Sequence, residues 1–95
     1  MQDLGYSNWA VALGKLGQYN ESIQLLKKSI DLYPDNASAH LNLGIALMQT
    51  DKLSQAIQHF SRSLELQPDD QKSQRYLRYA LKEKKYPDYI GFWGG

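Results

Sequence analysis

The chain contains one short pattern twice, first as Ile30-Asp31-Leu32-Tyr33-Pro34-Asp35 and then as Leu64-Glu65-Leu66-Gln67-Pro68-Asp69. Extending outward from these two patterns, residues 3–36 align with residues 37–70 without a gap and share nine identical pairs. A period of about 34 residues is typical of proteins that stack copies of one small structural unit. We therefore expect two structural repeats, residues 3–36 and residues 37–70.

Each repeat has the pattern of two amphipathic helices. In the second repeat, an apolar segment follows Asp35-Asn36, which are residue types that cap the start of a helix. The polar residues 49–52 interrupt this segment, and apolar residues then recur at spacings of three and four until Pro68. The first repeat has the same layout, with a turn at Gly17-Gln18 and with Asn20 as the expected cap of its second helix.

A fifth helix is predicted over residues 71–85, after Asp69-Asp70. Pro87 and the glycines that follow it prevent this helix from continuing. No segment alternates as a strand does, so the sequence predicts an all-α domain of five helices over residues 1–86. The remaining residues, 87–95, form a separate aromatic and glycine-rich tail.

The residues at fixed positions of the repeat resemble those of the tetratricopeptide repeat family, which has the same period. The second repeat matches the family pattern at Leu43-Gly44, Leu47, Ala56, Phe60 and Pro68, with His40 in place of the opening aromatic. The first repeat matches it at Tyr6, Trp9-Ala10, Leu13, Ser22, Leu26 and Pro34. The resemblance implies a right-handed α-solenoid of antiparallel helix hairpins.

The fifth helix departs from the family pattern. Arg78 stands where a hairpin needs a small residue, and Gln74 stands where a large apolar residue belongs. An arginine is tolerated at that position only if no second helix packs against it. The resemblance therefore implies that residues 71–85 form a terminal capping helix, which shields the last hairpin of the array.

The resemblance also implies a function, because the first helices of such arrays line a concave face that holds a segment of a partner protein. Carried over by position, the residues expected to bind an extended or helical segment are Asn8, Val11, Leu41, Asn42, Ile45, Met48, Lys72, Arg75, Tyr76 and Tyr79. Further inner-face positions are Leu4, Ser7, Lys15, Ser38, Gln49 and Glu83. None of these residues is expected to be needed for the hairpin core.

Two asparagines occupy the same position in the two repeats, Asn8 and Asn42. A carboxamide carries a donor and an acceptor, so a row of asparagines can pair with both polar groups of a peptide backbone. The alternative is that asparagine is simply tolerated at an exposed position. Replacing both asparagines by alanine would distinguish these interpretations.

One subgroup of the family clamps the acidic C-termini of heat-shock chaperones with a fixed set of five basic and amide residues. Only Asn42 and Lys72 match that set here, and Ser7, Val11 and Tyr76 replace the other three. The resemblance therefore predicts that this chain does not bind chaperone tails tightly.

Basic residues are concentrated near the C-terminus although the net charge is only +1. Residues 71–95 carry six Lys and Arg against two Asp and Glu. This excess of positive charge is consistent with an acidic partner. It is also consistent with a solvated helix C-terminus, where cations interact favourably with the negative end of the helix dipole, and we favour this interpretation. Nucleic acid is the least favoured partner, because the chain as a whole is nearly neutral.

The tail carries Tyr89, Phe92 and Trp93, which form an unusual amount of apolar surface for a chain end. It can pack back onto the open side of the fifth helix, insert into a neighbouring molecule, or lack a fixed structure. The second possibility leads to the runner-up function, a structural module that forms homo-oligomers through its tail or its exposed repeat ends.

No catalytic, metal or cofactor site can be assembled from the sequence. The chain has no cysteine, no nucleophile motif and no phosphate-binding loop. His40 and His59 are the only histidines, and they lie on different predicted helices without a further ligand at metal spacing. We expect His40 to be a partly buried structural residue.

No apolar stretch approaches the ~20 residues of a membrane span, and no secretory signal is visible. The sequence therefore predicts a non-enzymatic, cytoplasmic protein-binding domain that takes no cofactor and does not insert into a membrane.

Overall fold

A computed structural model of the protein describes the backbone of residues 2–84 and the side chains of residues 8–84. The described residues form five α-helices and no strand, which confirms the all-α prediction. The helices are α1 (Gln2–Lys15), α2 (Tyr19–Leu32), α3 (Ala37–Gln49), α4 (Leu53–Leu66) and α5 (Gln71–Lys84). The predicted tail, residues 87–95, lies outside the described residues, as does the last predicted residue of the capping helix.

The helices form two layers. Each helix packs against the next one along the chain, so that α1 with α2 and α3 with α4 form antiparallel hairpins. In addition α1 contacts α3 and α3 contacts α5, whereas no Cα atom of α2 lies within 8 Å of a Cα atom of α4. The odd-numbered helices therefore approach one another more closely than the even-numbered helices do. They form the inner, concave layer of a helical-repeat solenoid, as predicted.

Equivalent turns join the two helices of each hairpin. Gly17 follows α1 with a φ of 82°, and Asp51, at the same position of the second repeat, follows α3 with a φ of 68°. Glycine enters this left-handed region without a steric penalty, and aspartate is one of the few other residues that adopt it readily. The same turn is therefore built with two different residues.

One predicted helix cap is confirmed and one is wrong. The side chain of Asn36 accepts a hydrogen bond from the backbone N–H of Ala39 at 3.2 Å and caps α3. In contrast, α2 begins at Tyr19, so Asn20 lies inside the helix and cannot be its N-cap. The N-cap residue is Gln18, whose side chain makes no capping hydrogen bond. The turn at Gly17 brings the chain into the helix two residues before the position that residue type alone suggests.

Small residues allow close packing within each hairpin. A Cβ atom added to Gly44 would lie 2.5 Å from Cε1 of Phe60, so the Phe60 ring occupies the space that any side chain at position 44 would need. In the first hairpin the equivalent residue Ala10 is fully buried, and its carbonyl oxygen accepts a hydrogen bond of 2.8 Å from the Ser22 hydroxyl. Arg78, at the same position of α5, is exposed, as expected for a capping helix.

One apolar core runs through both hairpins and the capping helix. Its buried members are Ala10, Ile23, Leu26, Leu41, Leu43, Ala46, Leu47, Ala56, Phe60 and Ala80. Because every helix contributes to this single cluster, the hairpins stabilise one another and the array folds as a unit.

A chain of buried polar contacts attaches α5 to the second hairpin. The Ser63 hydroxyl lies 3.1 Å from the Ala37 carbonyl oxygen and 2.8 Å from the Ser73 hydroxyl, which lies 2.6 Å from the Asp70 carboxylate. The Ala37 carbonyl oxygen and the ionised Asp70 carboxylate can only accept, so the two hydroxyl protons can make at most two of these three contacts full hydrogen bonds at a time. The hydrogen bond from Ser73 lowers the pKa of Asp70 below its usual value.

Candidate binding groove

A groove of about 300 Å³ crosses the inner layer of helices. Its lining residues are Val11, Gly14 and Lys15 of α1, Asn42, Ile45 and Gln49 of α3, and Lys72 and Tyr76 of α5, with Ala10, Tyr19, Ser22, Leu26 and Ala46 beneath them. A second hollow is lined by Gln71, Lys72, Arg75, Tyr76 and Tyr79 of α5. Because the two hollows share Lys72 and Tyr76, they form one continuous surface, which we call the inner groove.

Most of the residues predicted from the family pattern meet in the inner groove. Seven of the ten line it, namely Val11, Asn42, Ile45, Lys72, Arg75, Tyr76 and Tyr79. They come from three helices that are far apart in sequence, and the close approach of the odd-numbered helices brings them together. Their role in binding a partner stays a prediction.

The other three predicted residues do not line the groove. Asn8 is exposed on α1 but borders neither hollow, so only Asn42 of the predicted asparagine pair is a lining residue. Met48 is half-buried and packs against the core. Leu41 is only 7% exposed and belongs to the core cluster, so the expectation that no groove residue is needed for the core is wrong for Leu41. The reason is that α3 is the central helix and has neighbours on both sides.

The second helix of the first hairpin contributes residues that the sequence analysis did not assign to the groove. Tyr19 and Ser22 lie at the start of α2 and reach the groove beside Gly14. The family pattern assigns the concave face to first helices alone, so it carried no signal for these two residues. The short turn before α2 places its first residues next to the end of α1.

The charged side chains of the inner groove are all positive. Lys15 lies on α1, and Lys72 and Arg75 lie on α5, whereas no carboxylate side chain lines either hollow. Between the lysines lie the carboxamides of Asn42 and Gln49, which can each donate and accept a hydrogen bond. The groove therefore presents a positive potential over an apolar floor.

Tyr76 is held in place from below. Its ring lies against the ring of Phe60, with centroids 5.7 Å apart and ring planes 22° apart, and Phe60 is fully buried. An aromatic side chain that is fixed in this way loses little conformational entropy when a ligand packs on it. Tyr76 is therefore the most preorganised apolar element of the groove.

The two histidines correct one interpretation of the sequence. His40 is 6% exposed, so it is more deeply buried than the partly buried residue that the sequence predicted. Its Nδ1 lies 3.1 Å from Nδ1 of His59, although the spacing along the chain indicated no partner. The antiparallel arrangement of α3 and α4 brings the two rings together.

The described part of the chain contains neither a cluster of metal ligands nor a membrane-spanning helix. Residues 8–84 contain no group of three or more side chains that could hold a metal ion. None of the helices within residues 2–84 is both long and apolar enough to cross a membrane.

Comparison with known proteins supports the fold and identifies the family. Among solved structures, the chain is similar to the first TPR of Spaghetti (RPAP3) bound to the HSP90 peptide SRMEEVD, at 22% identity and a TM-score of 0.83, over 85% of this chain and 64% of that one. It is also similar to a point mutant of MamA, at 22% identity and a TM-score of 0.79, over 87% of this chain and 61% of that one. The chain thus spans less than two thirds of each of these structures. No curated protein matches the chain.

A profile of the tetratricopeptide repeat family matches residues 15–84, which is most of the chain. Members of this family are in general non-enzymatic modules for protein interaction. Together with the five-helix solenoid and the regular period of its sequence, this match shows that the chain belongs to the tetratricopeptide repeat family.

Proposed function

We propose that this chain is an interaction module that holds a segment of a partner protein in the inner groove. The observation that carries the proposal is the composition of the groove, in which an apolar floor is bordered by cations and by no carboxylate. A segment that fits this groove has acidic side chains that pair with Lys15, Lys72 and Arg75, and an apolar side chain that packs on the floor. Such a segment can bind in an extended or in a helical conformation.

The size and chemistry of the groove support this proposal. Its two hollows have volumes of about 300 and 600 Å³, within the range for ligand sites, which suits a short segment better than a whole domain. Cations around an apolar floor raise the rate of association with an acidic partner and select against basic ones. Asn42 and Gln49 are placed to pair with the backbone of the bound segment.

A solved relative supports the same class of ligand. The structure of RPAP3 carries the peptide SRMEEVD, which contains three acidic residues. The present groove has only Asn42 and Lys72 in common with the clamp of chaperone-binding relatives, and Lys15 and Arg75 add cations at other positions. We therefore expect this chain to select an acidic segment that differs from a chaperone tail.

The test is a selection from a display library of random peptides, followed by affinity measurements on the enriched sequences. We expect enrichment of Asp and Glu beside one aliphatic or aromatic residue. The double variant Lys15→Glu, Lys72→Glu should weaken binding by about tenfold or more, since opposite charges across an interface become like charges.

The matched control reverses two exposed cations that do not line the groove, Lys28→Glu and Lys82→Glu, and makes the same change in net charge. Equal weakening by the two double variants would mean that only the overall charge matters. If no peptide is enriched, or if the groove variant binds as well as the wild type, the proposed function is wrong.

Self-assembly is the second candidate function, and the open face of the first hairpin favours it. A shallow hollow of about 220 Å³ is lined by Trp9, Leu13, Glu21, Gln24 and Leu25, and the Trp9 side chain is 59% exposed. In the second repeat the equivalent face of α3 is covered by α2. A second copy that covered this face would bury Trp9.

Light scattering over a range of concentrations separates the two candidates. Oligomers that disappear in Trp9→Ser would support assembly through this face, and oligomers that disappear on deletion of residues 87–95 would implicate the tail. A chain that remains monomeric at the highest concentration would contradict self-assembly and leave the groove as the functional surface.

A further inference from the structure

The two histidines form a hydrogen-bonded pair that joins three segments of the fold. The buried ring of His40, on α3, places Nε2 2.9 Å from the carbonyl oxygen of Pro34 in the turn between the repeats. Its Nδ1 lies 3.1 Å from Nδ1 of the half-buried His59, on α4. The pair therefore connects both helices of the second hairpin with the turn that precedes them.

The rings meet edge to edge through their Nδ1 atoms. Their centroids are 5.4 Å apart and their planes differ by 25°. A centroid separation this much larger than the 3.1 Å between the nitrogens means that the nitrogens lie between the two rings, close to the line that joins the centroids. This is the arrangement of an N–H···N hydrogen bond. A metal ion bound by both nitrogens would have to lie to the side of the line that joins them, whereas the in-plane direction of each Nδ1 points at the other ring.

The contacts determine which nitrogens carry protons when both rings are neutral. A carbonyl oxygen can only accept, so Nε2 of His40 carries a hydrogen and donates it to Pro34. Nδ1 of neutral His40 is therefore an acceptor, and Nδ1 of His59 is the donor. One further proton can bind at Nε2 of His59 while this hydrogen bond is kept. A second one must bind at Nδ1 of His40, where two hydrogens would face each other.

We propose that the His40–His59 pair is an acid-sensitive latch, which holds α3, α4 and the inter-repeat turn together near neutral pH and opens when both rings become charged. Doubly protonated rings lose the N–H···N hydrogen bond and repel each other at a distance of 3.1 Å. The Pro34 hydrogen bond survives, so the loss falls on the contact between α3 and α4. Because α3 also carries Asn42 and Ile45, the latch positions the central helix of the inner groove.

The charges around the pair disfavour protonation. Burial, the neighbouring His40 and Lys27 of α2 lower the pKa of His59 below its ordinary value of 6.5. One turn further along α4, Arg62 pairs with Asp35 of the inter-repeat turn at 3.5 Å and with Glu65 of its own helix at 3.0 Å. Neither histidine ring has a carboxylate partner within residues 8–84, so nothing there offsets the added charge.

The direction of the pH effect follows from this lowered pKa. Well above pH 6.5, His59 is neutral in both the folded and the unfolded chain, and the latch contributes its full stability. As the pH falls below 6.5, the unfolded chain binds protons that the folded chain resists, so the free energy of unfolding decreases. The chain has only two histidines, so few other groups can titrate between pH 5.5 and 7.5.

The first test is direct and needs no variant. Long-range proton–nitrogen spectra of the full chain labelled with ¹⁵N report which ring nitrogens are protonated. At pH 7.5 we expect His40 to carry its proton on Nε2 and His59 to carry its proton on Nδ1. If His59 is instead protonated on Nε2 alone at that pH, the hydrogen bond does not exist and the proposal is overturned.

The second test compares chemical unfolding at pH 7.5 and pH 5.5 for the wild type and for the double variant His40→Phe, His59→Gln. Phenylalanine restores the aromatic residue that opens the repeat in the family pattern, so the variant keeps an apolar ring at this position. We expect the midpoint of the wild type to fall at pH 5.5 and the midpoint of the variant to stay constant. Equal shifts in the two proteins would overturn the proposal.

Discussion

The two hairpins have the same design but differ in burial. Leu43 of the second hairpin is 1% exposed, whereas Trp9, which occupies the same position of the first repeat, is 59% exposed. The difference arises because α2 packs against α3, while no helix in the described part of the chain precedes α1. The sequence of a repeat therefore determines its hairpin, but its place in the array determines which surfaces are buried.

The same contrast appears in the buried hydroxyl groups. Ser63, in the second hairpin, contacts the Ala37 carbonyl oxygen and the Ser73 hydroxyl, whereas the equivalent Ser29 is fully buried and its Oγ has no hydrogen-bond partner within the described residues. Position 73 corresponds to Ala39, which has no hydroxyl to offer Ser29. The buried hydroxyl group of the second hairpin is thus better hydrogen-bonded than that of the first. Four comparisons of equivalent residues test how the two hairpins differ.

The largest effect is expected from truncating the residue that differs most in burial. Leu43→Ala should lower the free energy of unfolding by about 2–5 kcal/mol, because it leaves a cavity in the core. Trp9→Ala should cost at most about 0.5 kcal/mol, as is usual for an exposed site. Urea unfolding of both variants measures this contrast. A large loss in Trp9→Ala would mean that the open face is covered in solution, which would favour self-assembly.

The second comparison exchanges the small residues between the hairpins. Gly44→Ala should destabilise by about 1–3 kcal/mol, because the new methyl group would overlap the Phe60 ring. The reverse change in the first hairpin, Ala10→Gly, should cost about 1–2 kcal/mol, through backbone entropy and the loss of a buried methyl group. Both are measured by thermal unfolding. If Gly44→Ala raised the midpoint, as better helix propensity alone would predict, the close contact with Phe60 would be contradicted.

The third comparison concerns the two buried serines. Ser63→Ala removes a group that pairs with Ala37 and Ser73, and it should cost about 1–3 kcal/mol because a buried acceptor loses its donor. Ser29→Ala removes an unpaired hydroxyl and should be neutral or stabilising. Chemical denaturation of both variants provides the measurement. An equal loss in the two variants would show that Ser29 has a partner in solution.

The smallest effect is expected from the two residues that precede α3 and α5. Asp70, before α5, has its pKa lowered mainly by the Ser73 hydroxyl, so it stabilises the fold above its ordinary pKa of 3.8, and this contribution is lost as the pH falls through that region. Its equivalent, Asn36, caps α3 without a charge. Unfolding midpoints between pH 5 and 2.5 should therefore fall less in Asp70→Asn than in the wild type. The adjacent control, Asp69→Asn, should keep the contribution of Asp70. If the unfolding midpoint depended on pH identically in the wild type and in both variants, the contribution of Asp70 would be ruled out.

Much of the fold could be predicted because its signals are local. The alignment of residues 3–36 with 37–70 predicted the hairpins, and the apolar spacing after Asp69-Asp70 predicted α5. The role of α5 as a cap, which was inferred from Arg78, stays a prediction. Seven of the ten residues predicted for the groove also line it, because position within the repeat determines which side chains face inward. The start of α2 was missed because the N-cap is Gln18, directly after the turn residue Gly17, and lies two positions before Asn20.

By itself, the sequence determined the helices and their pairing into hairpins, since helix periodicity, turn residues and small packing positions act over a few residues. Only the tertiary structure decided that His40 meets His59, that Leu41 is a core residue and that Trp9 is exposed while Leu43 is not. These outcomes depend on which helices lie alongside a given residue. That neighbourhood is created when several helices pack at once, and the residue's own segment of sequence does not contain it.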